Sequence, residues 1–222
     1  LHRLGSDQWE KAKRRAAEKI HDVAAELLDI QARRALRGGV AMAPPDAEYA
    51  RFAEEFPFEV TPDQRQAIDD IVADLTRPKA MDRLVCGDVG FGKTEVAMRA
   101  AFLVVQSKHQ VAVLVPTTLL AQQHYETFRD RFADWPVQIE VVSRLRTDAE
   151  VDAIQQRLRS GRIDIVIGTH KLLSTGFDFG RLGTVRRVGE HSSDSSLKYS
   201  GPALLPFGHQ DIRVYIDNLF LE

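Results

Sequence analysis

The spacing of apolar residues along this chain changes from one segment to the next, and each change marks a different element. From 7 to 37 Trp9, Ala16, Ile20, Val23, Ala24, Leu27, Leu28 and Ala35 recur at helical intervals and predict one long helix. Asp7 with Glu10 three positions on reads as a capping box, and Gly38-Gly39 ends the run. The opposite face carries Lys11, Arg14, Arg15, Lys19, Asp22, Glu26, Arg33 and Arg34, either a solvated stripe or a surface for DNA or a partner. Ala43-Pro44-Pro45-Asp46 then predicts a stiff linker and a domain boundary, dividing residues 1–44 from the remainder of the chain. From residue 83 onward short apolar runs alternate with amphipathic ones. Strands are predicted at 83–86, 111–115, 137–142 and 163–167, and helices at 93–106, 118–133 and 147–160. That alternation predicts an α/β fold built from βαβ units, with a mainly parallel sheet covered on both faces.

Candidate chemistry sits at the joints of this pattern. Gly87-Asp88-Val89-Gly90-Phe91-Gly92-Lys93-Thr94 follows a predicted strand and opens a predicted helix, the context a phosphate-binding loop requires. Glycines let backbone amides face phosphate oxygens, and the helix N-terminus adds partial positive charge. Lys93 then reaches the β- and γ-phosphates, and the Thr94 hydroxyl offers a ligand to Mg²⁺. The expected ligand is a nucleoside triphosphate. Upstream, Phe52, Phe56 and Phe58 lead into Thr61-Pro62-Asp63-Gln64, a strong helix start. Gln64 either caps that helix alone or also offers its amide to the donor and acceptor edge of adenine, with Phe58 packed on the ring.

Ligands of parallel sheets lie beyond the carboxyl ends of the strands. Besides the phosphate loop, Pro116-Thr117-Thr118, Ser143-Arg144 and Gly168-Thr169-His170-Lys171 fall there. Hydroxyls, amides and cationic side chains at one edge suit the phosphates of a nucleic acid backbone.

Composition narrows this picture without redirecting it. The chain has 222 residues, 44% of them hydrophobic, enough for a sizeable core. A formal net charge of −2 predicts local rather than global contact with nucleic acid. The single cysteine, Cys86, excludes an internal disulfide and is expected to be a buried structural thiol in a reducing compartment. No apolar run is long enough to span a membrane and the N-terminus carries no signal pattern, so the expected location is cytoplasmic. The first residue is Leu1 rather than Met, which predicts that the chain is part of something longer.

The residues at 56–64, Met81 to Phe102, Val115 to His124 and Ile167 to His170 together resemble superfamily 2 helicases, and within them the bacterial transcription-repair coupling factors. The resemblance runs from residue 1 to about 183, including the leading Leu-His-Arg-Leu-Gly-Ser-Asp-Gln-Trp. RecG-type branch-migration helicases share the Gly-Asp-Val-Gly start and the Gly-Thr-His loop, but usually have Ser where Phe91 stands and lack the leading helix. The resemblance implies an ATP- and Mg²⁺-dependent translocase on double-stranded DNA that displaces stalled RNA polymerase and recruits a UvrA-type excision-repair protein. It implies that residues 45–183 are the first RecA-like lobe and that the leading helix is a connector packed against neighbouring domains. Gln64 would read adenine, residues 87–94 would hold phosphates and metal, and Lys93 and Thr94 would serve catalysis. Thr117, Thr118, Gln122, Ser143, Arg144, Thr169 and His170 would lie on or near the DNA track.

The resemblance breaks after Gly183. A strand ending in Asp-Glu-Glu-His is due, and the chain has Val188-Gly189-Glu190-His191, so only Glu190 and His191 match. The acid that would hold Mg²⁺ through water falls on Val188, and the candidate general base falls on Gly189. Phosphoryl transfer is mostly positioning and charge stabilisation, so nucleotide binding without efficient hydrolysis is expected. Arg186 and Arg187 in a doubly buried strand argue against its forming normally. The tail, 184–222, is otherwise atypical, with a Ser-rich start and a weak strand expected at 211–216.

Overall fold

The computed structural model describes residues 7–37, 39–88, 90–173, 177–180, 182–189 and 213–217. Its centre is a parallel sheet whose strands, in chain order, are β1 (Asp82–Val85), β2 (Gln110–Leu114), β3 (Ile139–Val142), β4 (Ile165–Gly168), β5 (Leu182–Gly189) and β6 (Arg213–Asp217). They lie side by side in the order β1-β6-β5-β2-β4-β3. Helices α1 (Asp7–Arg37), α2 (Ala47–Glu54), α3 (Pro62–Leu75), α4 (Lys93–Gln106), α5 (Thr118–Arg131) and α6 (Asp148–Arg159) complete the described elements, with a 3₁₀ turn at His170–Leu173.

Period-two alternation in the strands divides the core between the two sheet faces. Val111, Val113, Val115, Ile165 and Ile167 join α3, α4, α5 and an aromatic group, in which Phe52 stacks on Phe102 at 4.2 Å and Trp135 meets Phe102 edge-on at 4.6 Å. Ala112, Leu114, Val142 and Val166 face the other way, onto Val151, Ile154 and Leu158 of α6. Helix α4 is buried continuously from Lys93 to Val104 because it lies at the middle of the first layer.

Several expectations need correction. Cys86 is exposed. It follows the end of β1, which among the described residues is an edge strand paired with β6, and the chain has already left the sheet there. The proline-containing segment before α2 is docked on the lobe: Met42 is buried in the core, its amide donates to Leu75 O at 2.9 Å, and Ala43 N donates to Ser107 Oγ at 3.0 Å. The core therefore extends upstream of the boundary expected at residue 44. Helix α2, unforeseen in the sequence, is capped by Asp46. The arginine-bearing strand does form: β5 pairs in parallel with β2 on one side and β6 on the other. A two-sided ladder satisfies its backbone groups, and that requirement overrides side-chain preference. Helix α1 forms over the predicted range, with Trp9, Ile20, Val23 and Leu28 exposed.

Candidate functional site

The six described strands run parallel, so the segments leaving their carboxyl ends gather along one edge. The phosphate loop leaves β1 at one side of the sheet. The segments after β2, β4 and β3 leave the other side, and β5 and β6 lie between.

The loop is wound round its own lysine. Lys93 is 5% exposed, and its Nζ donates to the carbonyls of Gly87 and Asp88. The Lys93 stem runs directly beside Gly87, 3.5 Å from where a Cβ would stand. Gly92, at φ +67°, is the N-cap of α4, and Gly90 has φ +82°. Left-handed backbone at both positions turns the chain through the arc a phosphate cradle needs. Thr94 is buried in the first turn of α4. Asp88 and Phe91 are exposed, and Val89 lies outside the described residues.

Gln64 meets this loop directly. Its Oε1 accepts from Thr61 N at 2.9 Å while Thr61 Oγ1 accepts from Gln64 N at 3.3 Å, completing a capping box on α3. Its Nε2 donates to Phe91 O at 2.8 Å. The structure thus supports the capping reading of Gln64 and also puts its amide against the phosphate loop. One lone pair and one N–H of that amide remain for a ligand. Phe58 is 70% exposed and meets Phe56 edge-on at 5.5 Å, leaving a ring face open.

Behind the loop stands a group that sequence reasoning missed. Glu95, 4% exposed, accepts from Arg99 Nε at 2.8 Å and from Arg131 Nη2 at 3.1 Å. Arg131 also donates to Phe52 O and lies over the Phe52 ring at 3.8 Å, and Arg99 donates to Ala53 O at 3.2 Å. The i,i+4 spacing of Glu95 and Arg99 was visible in the sequence. Arg131, from another helix, was not.

At the other side of the edge Pro116, Thr117, Thr118, Leu119, Arg144, Thr169, His170 and Lys171 line one concavity of about 920 Å³. Three loops distant in sequence therefore share one surface. Thr117 caps α5 by accepting from Leu120 N at 3.2 Å. Gly168 brings its loop in closely: a Cβ there would lie 2.5 Å from Val142 O. Ser143 is buried and shapes the turn, its Oγ accepting from Leu145 N at 3.3 Å and its carbonyl from Arg146 N at 3.2 Å, while Arg144 reaches the groove. Gln122 lies one turn along α5, bonded to Glu126 at 2.9 Å, and does not line the concavity. Glu190 and His191 lie outside the described residues. Among the described residues no cluster of His, Cys, Asp or Glu is assembled to hold a metal, and no helix is long and apolar enough to cross a membrane.

A parallel sheet with a glycine-rich loop before α4 and a groove bearing Arg144, His170 and Lys171 along the same edge defines a helicase-type nucleotide-binding lobe. Residues 61–189 match the DEAD/DEAH box helicase family, and the chain belongs to it. More particularly, the chain is 59% identical over 191 residues to the transcription-repair-coupling factor of Escherichia coli (strain K12), a match covering 86% of this chain and 17% of that protein. It is 50% identical over 204 residues to that of Myxococcus xanthus, covering 90% of this chain and 17% of the relative. The chain thus spans 17% of the length of these relatives. Among solved structures, RecG bound to a three-way DNA junction matches with a TM-score of 0.77 at 30% identity, over 94% of this chain and 28% of RecG.

Proposed function

We propose that the chain is the ATP-binding motor lobe of a double-stranded DNA translocase that couples transcription to nucleotide excision repair by displacing stalled RNA polymerase. The supporting observation is the shared edge, with a glycine cradle closed around Lys93 at one side and a groove bearing Arg144, His170 and Lys171 at the other. Identity to the coupling factors, at 59%, exceeds the 30% to RecG and favours this reading over a branch-migration helicase. RNA polymerase and a UvrA-type protein are partners of the whole machine that this reading implies.

Within the chain, Lys93 exchanges the Gly87 and Asp88 carbonyls for β- and γ-phosphate oxygens, neutral acceptors for anionic ones. Gly90 and Gly92 let the loop open without strain. Gln64 offers its spare lone pair and N–H to adenine, and Phe58 stacks on the ring. The Thr94 hydroxyl fits a Mg²⁺ ligand by its place in the loop, and Mg²⁺ when bound supplies charge neutralisation across the phosphates. Thr117, Thr118, Arg144, Thr169 and His170 hold DNA phosphates, with Ser143 shaping the turn and Gln122 near the track. Val188 and Gly189 stand where the metal-holding and water-orienting acids belong, so the chain binds nucleotide and hydrolyses it poorly.

Calorimetric titration with ATP, with and without duplex DNA at low salt, tests this. Binding strengthened by DNA, with hydrolysis at background, is expected. Nucleotide affinity indifferent to DNA would favour an ATP-binding module without a nucleic acid role, and robust hydrolysis would overturn the account of Val188 and Gly189.

A further inference from the structure

We infer that Arg99 is a positioning residue for the purine: clamped by Glu95 inside the lobe, its guanidinium sets the Ala53–Phe58 segment and hence the Phe58 ring against the base. The inference rests on the proposed adenine role of Phe58.

Each link is a contact. Glu95 directly follows the loop's Lys-Thr pair and is fixed by two guanidinium groups, at 2.8 Å to Arg99 Nε and 3.1 Å to Arg131 Nη2. Arg99 donates from Nε to Glu95 and from Nη2 to Ala53 O at 3.2 Å, at the carboxyl end of α2. Ala53 O also accepts from Phe56 N at 3.4 Å, so the guanidinium adds a second donor at the carbonyl where the chain turns toward Phe56. The same Arg99 Cζ is 5.9 Å from the Phe56 ring centroid, and Phe56 meets Phe58 at 5.5 Å and 67°. From the first turn of α4 to the exposed aromatic face there is no gap in the chain of contacts.

Stability alone does not account for this arrangement. A buried ion pair recovers its desolvation cost poorly, and apolar residues of similar volume are often as stable or more so. What a planar fork adds is direction, several donors fixed relative to one another. Arg99 uses them to tie the helix carrying the phosphate loop to the segment carrying the aromatic pair. Lysine would keep the charge near Glu95 and lose the fork.

The test is calorimetric titration of the full chain with ADP, GDP and inorganic tripolyphosphate, for the parent, Phe58→Ala, Arg99→Lys, Arg99→Gln and the double variant Phe58→Ala/Arg99→Lys, with melting curves to establish folding. Phe58→Ala is expected to weaken ADP about tenfold and leave tripolyphosphate unchanged, a loss of the size stacking carries. Arg99→Lys and Arg99→Gln should weaken ADP by roughly threefold to tenfold, also without effect on tripolyphosphate, and the double variant should be no weaker than Phe58→Ala alone. If Phe58→Ala weakens ADP while both Arg99 variants bind as the parent does, the positioning role is overturned and the purine reading stands. Equal loss for ADP and tripolyphosphate in the folded Arg99 variants would also overturn it, since that marks general damage to the loop. Unchanged ADP binding by Phe58→Ala would remove the purine reading and this inference together.

Discussion

The two sides of the ligand edge are built in opposite ways. The phosphate loop is turned in on itself: its ammonium is bonded to its own carbonyls, and Phe91 O is taken by Gln64. The groove is turned outward, its caps and turns satisfied beneath while Arg144 and His170 line an open concavity. A ligand of the loop must displace internal bonds, so binding there is coupled to a change of shape. A polyanion in the groove meets side chains already in place, so binding there is governed by charge and salt.

Lys93→Ala separates the two sides most sharply. It removes the ammonium held inside the loop, and triphosphate affinity should fall by about two orders of magnitude, the scale of a lost charge-assisted bond. Duplex DNA binding without nucleotide should be unchanged. Calorimetry for the nucleotide and anisotropy for DNA read both, and retained tight triphosphate binding would refute the phosphate-loop assignment. Arg144→Ala is the mirror experiment. DNA affinity at low salt should fall by about tenfold, and the slope of log K against log salt should shrink by about one counterion, with ATP binding untouched. A weakened but equally salt-dependent complex would mean that Arg144 does not meet a phosphate.

Much of this division was legible in the sequence because it depends on local grammar. Gly87 to Thr94 after a strand and Thr61 with Gln64 each specify a turn or cap within a few residues, and the described residues form both. The groove was legible for a related reason: once β2, β3 and β4 are parallel, their carboxyl ends must share an edge. What escaped were contacts between elements far apart in sequence. Arg131 reaches Glu95 from α5, Met42 enters a core begun by α3 and α4, and no periodicity announces either. Cys86 was misplaced because an apolar run does not say where an edge strand ends. In β5, Arg186 and Arg187 were weighed as side chains, whereas pairing on both sides is settled by the backbone.

Gly92→Ala probes the loop more gently. The new methyl would sit at φ +67° and 2.5 Å from Gln64 Nε2, a flexible side-chain end that can move aside. Strain of about 1–2 kcal/mol is expected from the left-handed backbone, visible in chemical denaturation. Displacing Gln64 should also reduce discrimination between ADP and GDP, with DNA affinity in the groove unaltered. Unchanged discrimination would show that the Gln64 contact with Phe91 plays no part in base selection.

The smallest effect belongs to the groove's support. Thr147 and Glu150 form a capping box at the start of α6, with Glu150 Oε2 accepting from Thr147 N at 2.8 Å and from Thr147 Oγ1 at 2.9 Å. Those bonds, the backbone one foremost and Arg146 beside them, hold the Glu150 carboxyl below its ordinary value of 4.5. A carboxyl whose folded value is depressed contributes stability above its unfolded value and loses it as pH falls through the folded one. Thr147→Ala should therefore lower the melting temperature by about 2–4 °C near neutral pH. That difference should narrow in part as the solution is acidified below pH 4.5, where protonation of Glu150 weakens the carboxylate half of the box in the parent while Thr147 Oγ1 still accepts from Glu150 N. Because Ser143 holds the Arg144 turn through its own bonds to Leu145 and Arg146, DNA affinity should barely change. A large loss of DNA binding in Thr147→Ala would mean that the groove, like the loop, depends on a conformation its ligand must select.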